Sequence, residues 1–535
     1  MKTPRTRISE LSPEKRQLFQ RALREKGLAR DRARGIPRRP VGAAPPLSFA
    51  QQRLWFFDQL MPGDPAYNDS YAIRMQGSLQ PGLVRRALCD VVRRHEALRT
   101  SFVVEGSGPV QVIAPVLDLP LPDLDLDHGP GEDADPSIQR AILELADEPF
   151  DLATGPLLRA QLLRLSETDH VLLLVIHHIV SDGASYCILF KELAETYAAL
   201  AAGGEPPLPV PEIQFADYAA WERARLTEKT TAPHVDYWRE KLQGPPPKIE
   251  LAADQPRPEV QSFRGAGKVW ALPGDVAEKV LAAGRRQDAT LFMVLHGAFQ
   301  VLLHHGTGLD DICCGFAMST RSAHETQGLI GFFVNTLALR TDLSGDPTFA
   351  EIVGRTRQAC LDAFEHKDVP FERLVQELGL PRSLDQNPLF SVFAVQYSHP
   401  RPIELPGLTL SYYQVDYGVT RFDLEMWITD DGGLSSQTGQ TGAVGAGDLA
   451  VNFQYNRDLF DEATIERLVR RFEVVVRHAM LDDGLRVSEL RRLIDESESQ
   501  GARDGRVRRR SGALEKLRSA RRTKIGGATD EKSGR

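Results

Sequence analysis

The sequence predicts an α/β fold with mixed sheets, α+β in layout, divided into two lobes. Strand-like and helix-like stretches alternate from about residue 47 onward. A Pro/Gly-rich break over 203–211 separates two rounds of that alternation, of similar size. The chain has 535 residues, 42% apolar and 26% charged, which is ample for two cores.

The elements follow in order. Residues 8–27 read as a helix with Leu18, Phe19 and Leu23 on one face and Gly27 at its end, followed by a basic, Pro/Gly-rich linker to residue 43. The first lobe is expected over 44–228. Ser48–Leu60 is its apolar, aromatic opening, Tyr71–Gln76 alternates as a strand, and Pro81–His95 places Leu83, Ala87, Leu88 and Val91 on one helical face. Phe102–Val104 and Val110–Val116 read as strands, and Asp135–Glu148 as a helix opened by Asp135 and Pro136. Leu157–Leu165 is a strand, and His170–Ile176 holds an unbroken aliphatic run, the mark of a strand buried on both faces. Ala184–Leu200 is a helix, and helical stretches surround Asp217–Arg225 and Tyr237–Leu242.

The second lobe is expected over 229–497, with strands at Lys268–Leu272, Asp311–Phe316, Thr336–Thr341, Ser391–Gln396, Leu424–Ile428 and Val451–Tyr455. Its helices fall at Val276–Gln287, Thr290–Gly306, Phe349–His366, Pro370–Leu378 and Glu462–His478. Gly432–Gly447, rich in Gly, Ser, Thr and Gln, reads as a flexible loop, and 498–535 as a basic, disordered tail.

The net charge of −8 is unevenly spread: +9 over residues 1–40, +8 over 501–535, and therefore −25 between them. An acidic body with basic ends is not the footprint of a nucleic-acid-binding fold. The longest aliphatic run, Val171–Ile176, falls far short of the about 20 residues of a membrane helix, and no secretory leader opens the chain. Cys89, Cys187, Cys313, Cys314 and Cys360 are odd in number and lack zinc spacing, so a reduced, cytoplasmic protein without a metal is expected.

The sharpest motif is His177-His178-Ile179-Val180-Ser181-Asp182-Gly183, at the end of the buried strand and before a helix. Adjacent histidines in a strand point to opposite faces, so one serves a cavity and the other packs inside. Histidine suits proton transfer near neutrality. Asp182 can lock the loop, and Gly183 allows close approach of a backbone or ligand. Two structural histidines capping a strand would leave the same trace, so the motif needs its context.

That context resembles the condensation domains of nonribosomal peptide synthetases. The motif is similar to the family's HHxxxDG signature. Leu47–Leu60 with the following PGDPAYN, Arg94–Phe102, Phe215–Trp221, Ile330–Arg340, His366–Glu372 and Arg382–Phe390 resemble its other blocks, in the family's order. The opening block retains Gln51, Gln52, Arg53 and Trp55, which epimerisation domains usually lack.

The resemblance implies two chloramphenicol-acetyltransferase-like lobes in a V around a central tunnel. It implies amide formation between a donor acyl or peptidyl thioester and an acceptor amine, both carried by phosphopantetheine on carrier proteins. The chain itself would bind no cofactor. His178 becomes the tunnel-facing catalytic residue and His177 its inward-packed neighbour. Asp182 becomes structural, paired with Arg99, and Gly183 lies beside the thioester. Ala184 stands where the family usually has a bulky residue and, with Ser185 and Asn335, is expected to line the tunnel. Phe332, Phe333 and Val334 are expected as lobe-interface core. The loop at 432–447 lies near the segment by which the second lobe reaches the first. No adenylation or carrier domain follows residue 500, so carriers or other synthetase subunits are expected to act in trans. An acyltransferase with a free amine or alcohol acceptor, and a non-catalytic platform that docks carriers, are the competing functions.

Overall fold

The computed structural model describes residues 35–500 and 503, apart from 41, 43, 107, 127–134, 245, 381–384, 398–399, 401, 414–415, 417 and 430–448. The expected helix at 8–27 with its linker as far as residue 34, the loop at 432–447 and the tail (Arg503 apart) after residue 500 lie outside the described residues.

Ser48 and Gln51 form a reciprocal cap that starts helix α1, Phe49–Leu60. Strand β1 (Asn68–Gly77) follows, then helix α2 (Pro81–Arg94), the hairpin β2 (Thr100–Glu105) and β3 (Gly108–Ile113), strand β4 (Asp123–Asp125), and helix α3 (Asp135–Asp147). Strands β5 (Leu158–Ser166) and β6 (Asp169–His177), then helices α4 (Gly183–Ala201) and α5 (Phe215–Arg225), complete this half. Residues 170–177 of β6 are all buried, which is why its aliphatic run is unbroken. Helix α2 packs along α4, and α3 lies on β1 and β6.

The second half begins with α6 (Glu228–Lys241), β7 (Gly265–Ala271), α7 (Gly274–Arg286), α8 (Leu291–Thr307), β8 (Asp311–Ser319) and β9 (Val334–Asp342). It continues with α9 (Phe349–Glu365), α10 (Phe371–Glu377), β10 (Val392–Tyr397), β11 (Ile403–Leu405), β12 (Leu408–Tyr413), β13 (Leu424–Thr429), β14 (Ala450–Asn456) and α11 (Glu462–Leu481). A last helix covers 487–500, so helical structure passes the expected boundary at 498.

Each lobe is built on a six-stranded mixed sheet, in the orders β11-β12-β1-β6-β5-β4 and β7-β14-β13-β10-β8-β9. The second sheet is covered on both faces: Ile312, Cys314, Val392 and Ala394 join one core, while Cys313, Phe316, Leu337 and Phe393 join another. All five cysteines are free thiols.

Two segments cross between the lobes. Strand β12 pairs antiparallel with β1, Ala72 opposite Tyr413 and Gly77 opposite Leu408. In addition Leu329, Ile330, Phe332 and Phe333 pack into the first lobe's core. A boundary at 228/229 therefore divides the chain by sequence, whereas 329–333 and 403–413 belong to the first lobe by packing. No helix among the described residues is long and apolar enough to cross a membrane, and no cluster of three or more His, Cys, Asp or Glu side chains among them is placed to hold a metal.

Candidate active site at the end of the central strand

Strand β6 ends at His177, and a single 3-10 turn, His178–Val180, carries the chain to α4. The two histidines part at this turn. His177 is buried; its Nδ1 accepts from the Ile179 amide at 3.1 Å, and Phe150 meets its ring edge-on. Burial, helped by the charge of His178, pushes its pKa down to about 3, so His177 is a neutral structural group. An acceptor Nδ1 assigns its proton to Nε2.

His178 is partly open, its ring packed on Phe332 at 4.5 Å and parallel to Tyr67 at 6.3 Å. Its Nδ1 stands 2.6 Å from Asp69 Oδ2, in an ion-pair contact whose angle falls short of a linear hydrogen bond. Asp69 Oδ1 in turn meets the Arg421 guanidinium at 2.8 Å. Burial alone would raise the Asp69 carboxyl, but His178 and Arg421 outweigh it and hold the group well below the usual carboxylate range. Among the described residues no protein group hydrogen-bonds Nε2 of His178. The arrangement can therefore commit Nδ1 to a carboxylate while Nε2 is left to act on a ligand.

Asp182 forms a different knot. It caps α4 by accepting from Ser185 N at 2.7 Å, pairs with Arg321 at 2.9 Å, and accepts from Phe333 N at 3.1 Å. Both charged side chains are buried, 5% exposed for Arg321 and 4% for Asp182. Arg99 does not reach this carboxylate. It lies at the end of a 3-10 turn, and its guanidinium donates to Ala114 O beside the β2–β3 hairpin. The partner of Asp182 thus comes from the second lobe, two residues past the end of β8.

Ser185, expected to line a tunnel, is buried beneath the site. Its hydroxyl lies within donating reach of Asp182 Oδ1 at 2.7 Å and Gly331 O at 3.0 Å, and accepts from Gly331 N at 3.1 Å. Gly331 admits no side chain, because a Cβ there would stand 2.0 Å from the Phe215 ring. Gly183 and Ala184 are exposed in the first turn of α4, and a Cβ on Gly183 would meet nothing within 4 Å. Open space, not backbone geometry, marks this glycine.

Asn335 is half-buried and fully engaged. It donates to Lys367 O and Val369 O, each at 2.8 Å, and accepts from Thr336 N at 2.9 Å. It borders a crevice between the lobes, also lined by Arg53, Trp221, Phe332 and Glu372. Phe332 separates that crevice from His178.

Sequence reasoning missed Asp69, Arg421 and Tyr67. An acidic residue opening an otherwise apolar strand, one position beyond the PGDPAYN block, is the signal that could have found Asp69. Nothing local marks Arg421.

A family model described as Condensation domain matches residues 43–500. Over 465 residues the chain is 40% identical to Chondramide synthase cmdD of Chondromyces crocatus, covering 86% of this chain and 12% of that protein. Over 493 residues it is 38% identical to Phosphinothricin tripeptide synthetase PhsC of Streptomyces viridochromogenes, covering 92% of this chain and 44% of that protein. The chain thus spans less than half the length of these relatives. Among solved structures it resembles the X-domain from teicoplanin biosynthesis, with a TM-score of 0.74 and 27% identity over 85% of this chain and 99% of that one. It also resembles SgcC5 of Streptomyces globisporus, with a TM-score of 0.67 and 30% identity over 82% and 99%. The first condensation domain of the CDA synthetase, 22% identical at a TM-score of 0.68 over 84% of this chain and 99% of that one, shares the fold. With two sheets tied by crossing segments, the histidine motif at the end of β6 and a family match across nearly all the described residues, the chain belongs to the condensation-domain family of nonribosomal peptide synthetases.

Proposed function

We propose that this chain forms an amide bond between a donor acyl or peptidyl thioester and the amino group of an acceptor. Both substrates arrive on phosphopantetheine arms of carrier-protein domains, supplied by other synthetase parts, and the chain needs no cofactor of its own. The observation that supports this reading is the Asp69–His178 contact, which commits Nδ1 and leaves Nε2 without a protein partner. His178 Nε2 accepts a hydrogen bond from the acceptor amine and takes its proton as nitrogen bonds to the thioester carbonyl. Asp69 stabilises the imidazolium that results. Collapse of the tetrahedral intermediate breaks the carbon–sulfur bond, and the proton returns to the departing thiolate. The amide stays on the acceptor arm. Gly183 and Ala184 give the thioester room beside His178, while Asp182 and Arg321 keep the turn in place.

Mass spectrometry of loaded carriers after incubation with this protein tests the reading. The expected result is a condensed product on the acceptor carrier, reduced about 10²–10⁴-fold by His178→Ala and much less by His177→Ala. Equal or negligible losses overturn the assignment.

Two observations favour neighbouring readings. SgcC5, 30% identical, was crystallised with (R)-(-)-1-(2-naphthyl)-1,2-ethanediol, a free alcohol. Product from a free amine or alcohol, with none from an acceptor-loaded carrier, would make this chain an acyltransferase of that kind. The teicoplanin X-domain was crystallised with OxyB, a protein partner. Binding of several loaded carriers without turnover would make this chain a docking platform.

A further inference from the structure

We infer that Arg421 is a positioning residue for His178, reaching from the second lobe to fix the orientation and tautomer of a histidine that belongs to the first. The inference rests on the reading of His178 given above. Arg421 lies just before β13 and touches both groups that flank the histidine. One guanidinium nitrogen meets Asp69 Oδ1 at 2.8 Å, while Nε donates to Ala66 O at 3.1 Å. The guanidinium carbon lies 4.8 Å from the centre of the Tyr67 ring, the ring that runs parallel to His178 with 10° between the planes. Asp69 bounds the imidazole at Nδ1 and Tyr67 bounds its face, so a single cation grips both.

The backbone around Arg421 is held for this task. Arg421 N donates to Glu425 Oε1 at 2.7 Å, and Thr420 Oγ1 donates to the same oxygen at 2.8 Å. Thr420 N donates to Phe263 O at 2.9 Å, and Arg264 bridges to Val419. Phe263 itself has φ of 56°, a left-handed backbone that a bulky residue rarely adopts. Its ring sits 5.3 Å from Phe57, and Phe57 sits 4.9 Å from Tyr67. One corner of the second lobe therefore reaches Tyr67 by two routes, through Arg421 and through Phe263 and Phe57. The ionisable groups facing the imidazole from these elements are Asp69 on β1 and Tyr67 just before it, His177 on β6, and Arg421 with Glu425 behind it. Separation of the lobes at this corner would remove Arg421 from Asp69, and a buried carboxyl without its cation tends to neutralise and release Nδ1. The working tautomer thus exists while the corner is closed.

The experiment follows the ring nitrogens of His178 by ¹⁵N NMR in the full chain and, in parallel, turnover of loaded carriers. In the wild type the proton is expected on Nδ1. Arg421→Met should spread it over both nitrogens and lower kcat about tenfold to hundredfold, with KM for loaded carriers changed less than about threefold. Arg421→Lys should recover part of the loss. In an Asp69→Asn background, Arg421→Lys should have no further effect on the tautomer, a comparison that stands if the methionine variant does not fold. A folded Arg421→Met protein with unchanged tautomer, a loss confined to KM, or additive effects in the Asp69→Asn background would each overturn the inference. If the wild type condenses nothing from any loaded carrier, the functional reading fails, and the tautomer measurements still decide this one.

Discussion

His178 and Asp69 meet at 2.6 Å because β1 and β6 run antiparallel in one register: Asn68 lies opposite His177 and Asp69 opposite Ile176. The carboxylate that orients the histidine is thus delivered by strand pairing, and Arg421 reaches it from the other lobe.

Asp69→Asn removes the negative charge and offers Nδ1 an amide in its place. Turnover should fall about 10²–10⁴-fold, as when a histidine is left in the wrong tautomer. Stability should respond in acid. The folded carboxyl lies below its unfolded value of about 3.9, so its contribution is present above that pH and disappears as pH falls through the folded value. The stability gap between wild type and Asp69→Asn should therefore narrow below about pH 4, as read by chemical denaturation.

His177 and His296 give a second pH effect. Both are buried neutral, with pKa pushed down to about 3 by burial, His178 adding to the effect at His177. The unfolded chain binds protons at these sites below about pH 6.5 and the folded chain does not, so stability falls as pH falls between those limits. Each histidine should contribute a slope of up to about 1.4 kcal/mol per pH unit. Denaturation midpoints of His296→Gln should decline less steeply from pH 7 to pH 5 than those of wild type.

The Asp182–Arg321 pair is buried, so removing one partner strands the other. Arg321→Met should cost about 3–5 kcal/mol. Arg99→Ala, which removes the hydrogen bond to Ala114 and does not touch Asp182, should leave the active site intact. Thermal melts together with the carrier assay decide this; equal losses would return Arg99 to the site.

Two glycines should behave in opposite ways. Gly331→Ala drives a methyl into Phe215 and should cost about 1–3 kcal/mol. Gly183→Ala meets open space, so stability should change by less than about 0.5 kcal/mol. Turnover by Gly183→Ala should nevertheless fall where the thioester needs that space. Unchanged kcat/KM would separate Gly183 from the reaction.

Elements with strong local patterns were legible in the sequence. The aliphatic run of β6, the alternation in β1 and the capped helices fall where their periodicity puts them. Strands β4, β11 and β12 were not read. Asp123–Asp125 is short, charged and exposed, and so carries no apolar signal. Leu408, Leu410 and Tyr412 do alternate, but no local pattern states which sheet they join. Ser185 and Asn335 seemed free to line a cavity only because their partners, Gly331 and residues 367–369, are distant in sequence.

Residue patterns alone establish the two-lobed α/β plan, the histidine motif at the end of a buried strand and the family those blocks belong to. Periodicity, capping and turn chemistry are local, and neighbouring residues suffice to express them. The long-range packing brings Asp69 to His178 and Arg421 to Asp69, and pairs Asp182 with Arg321 rather than Arg99. A buried charge must find a countercharge wherever the fold can bring one, and here Arg321 and Arg421 reach Asp182 and Asp69 from the second lobe.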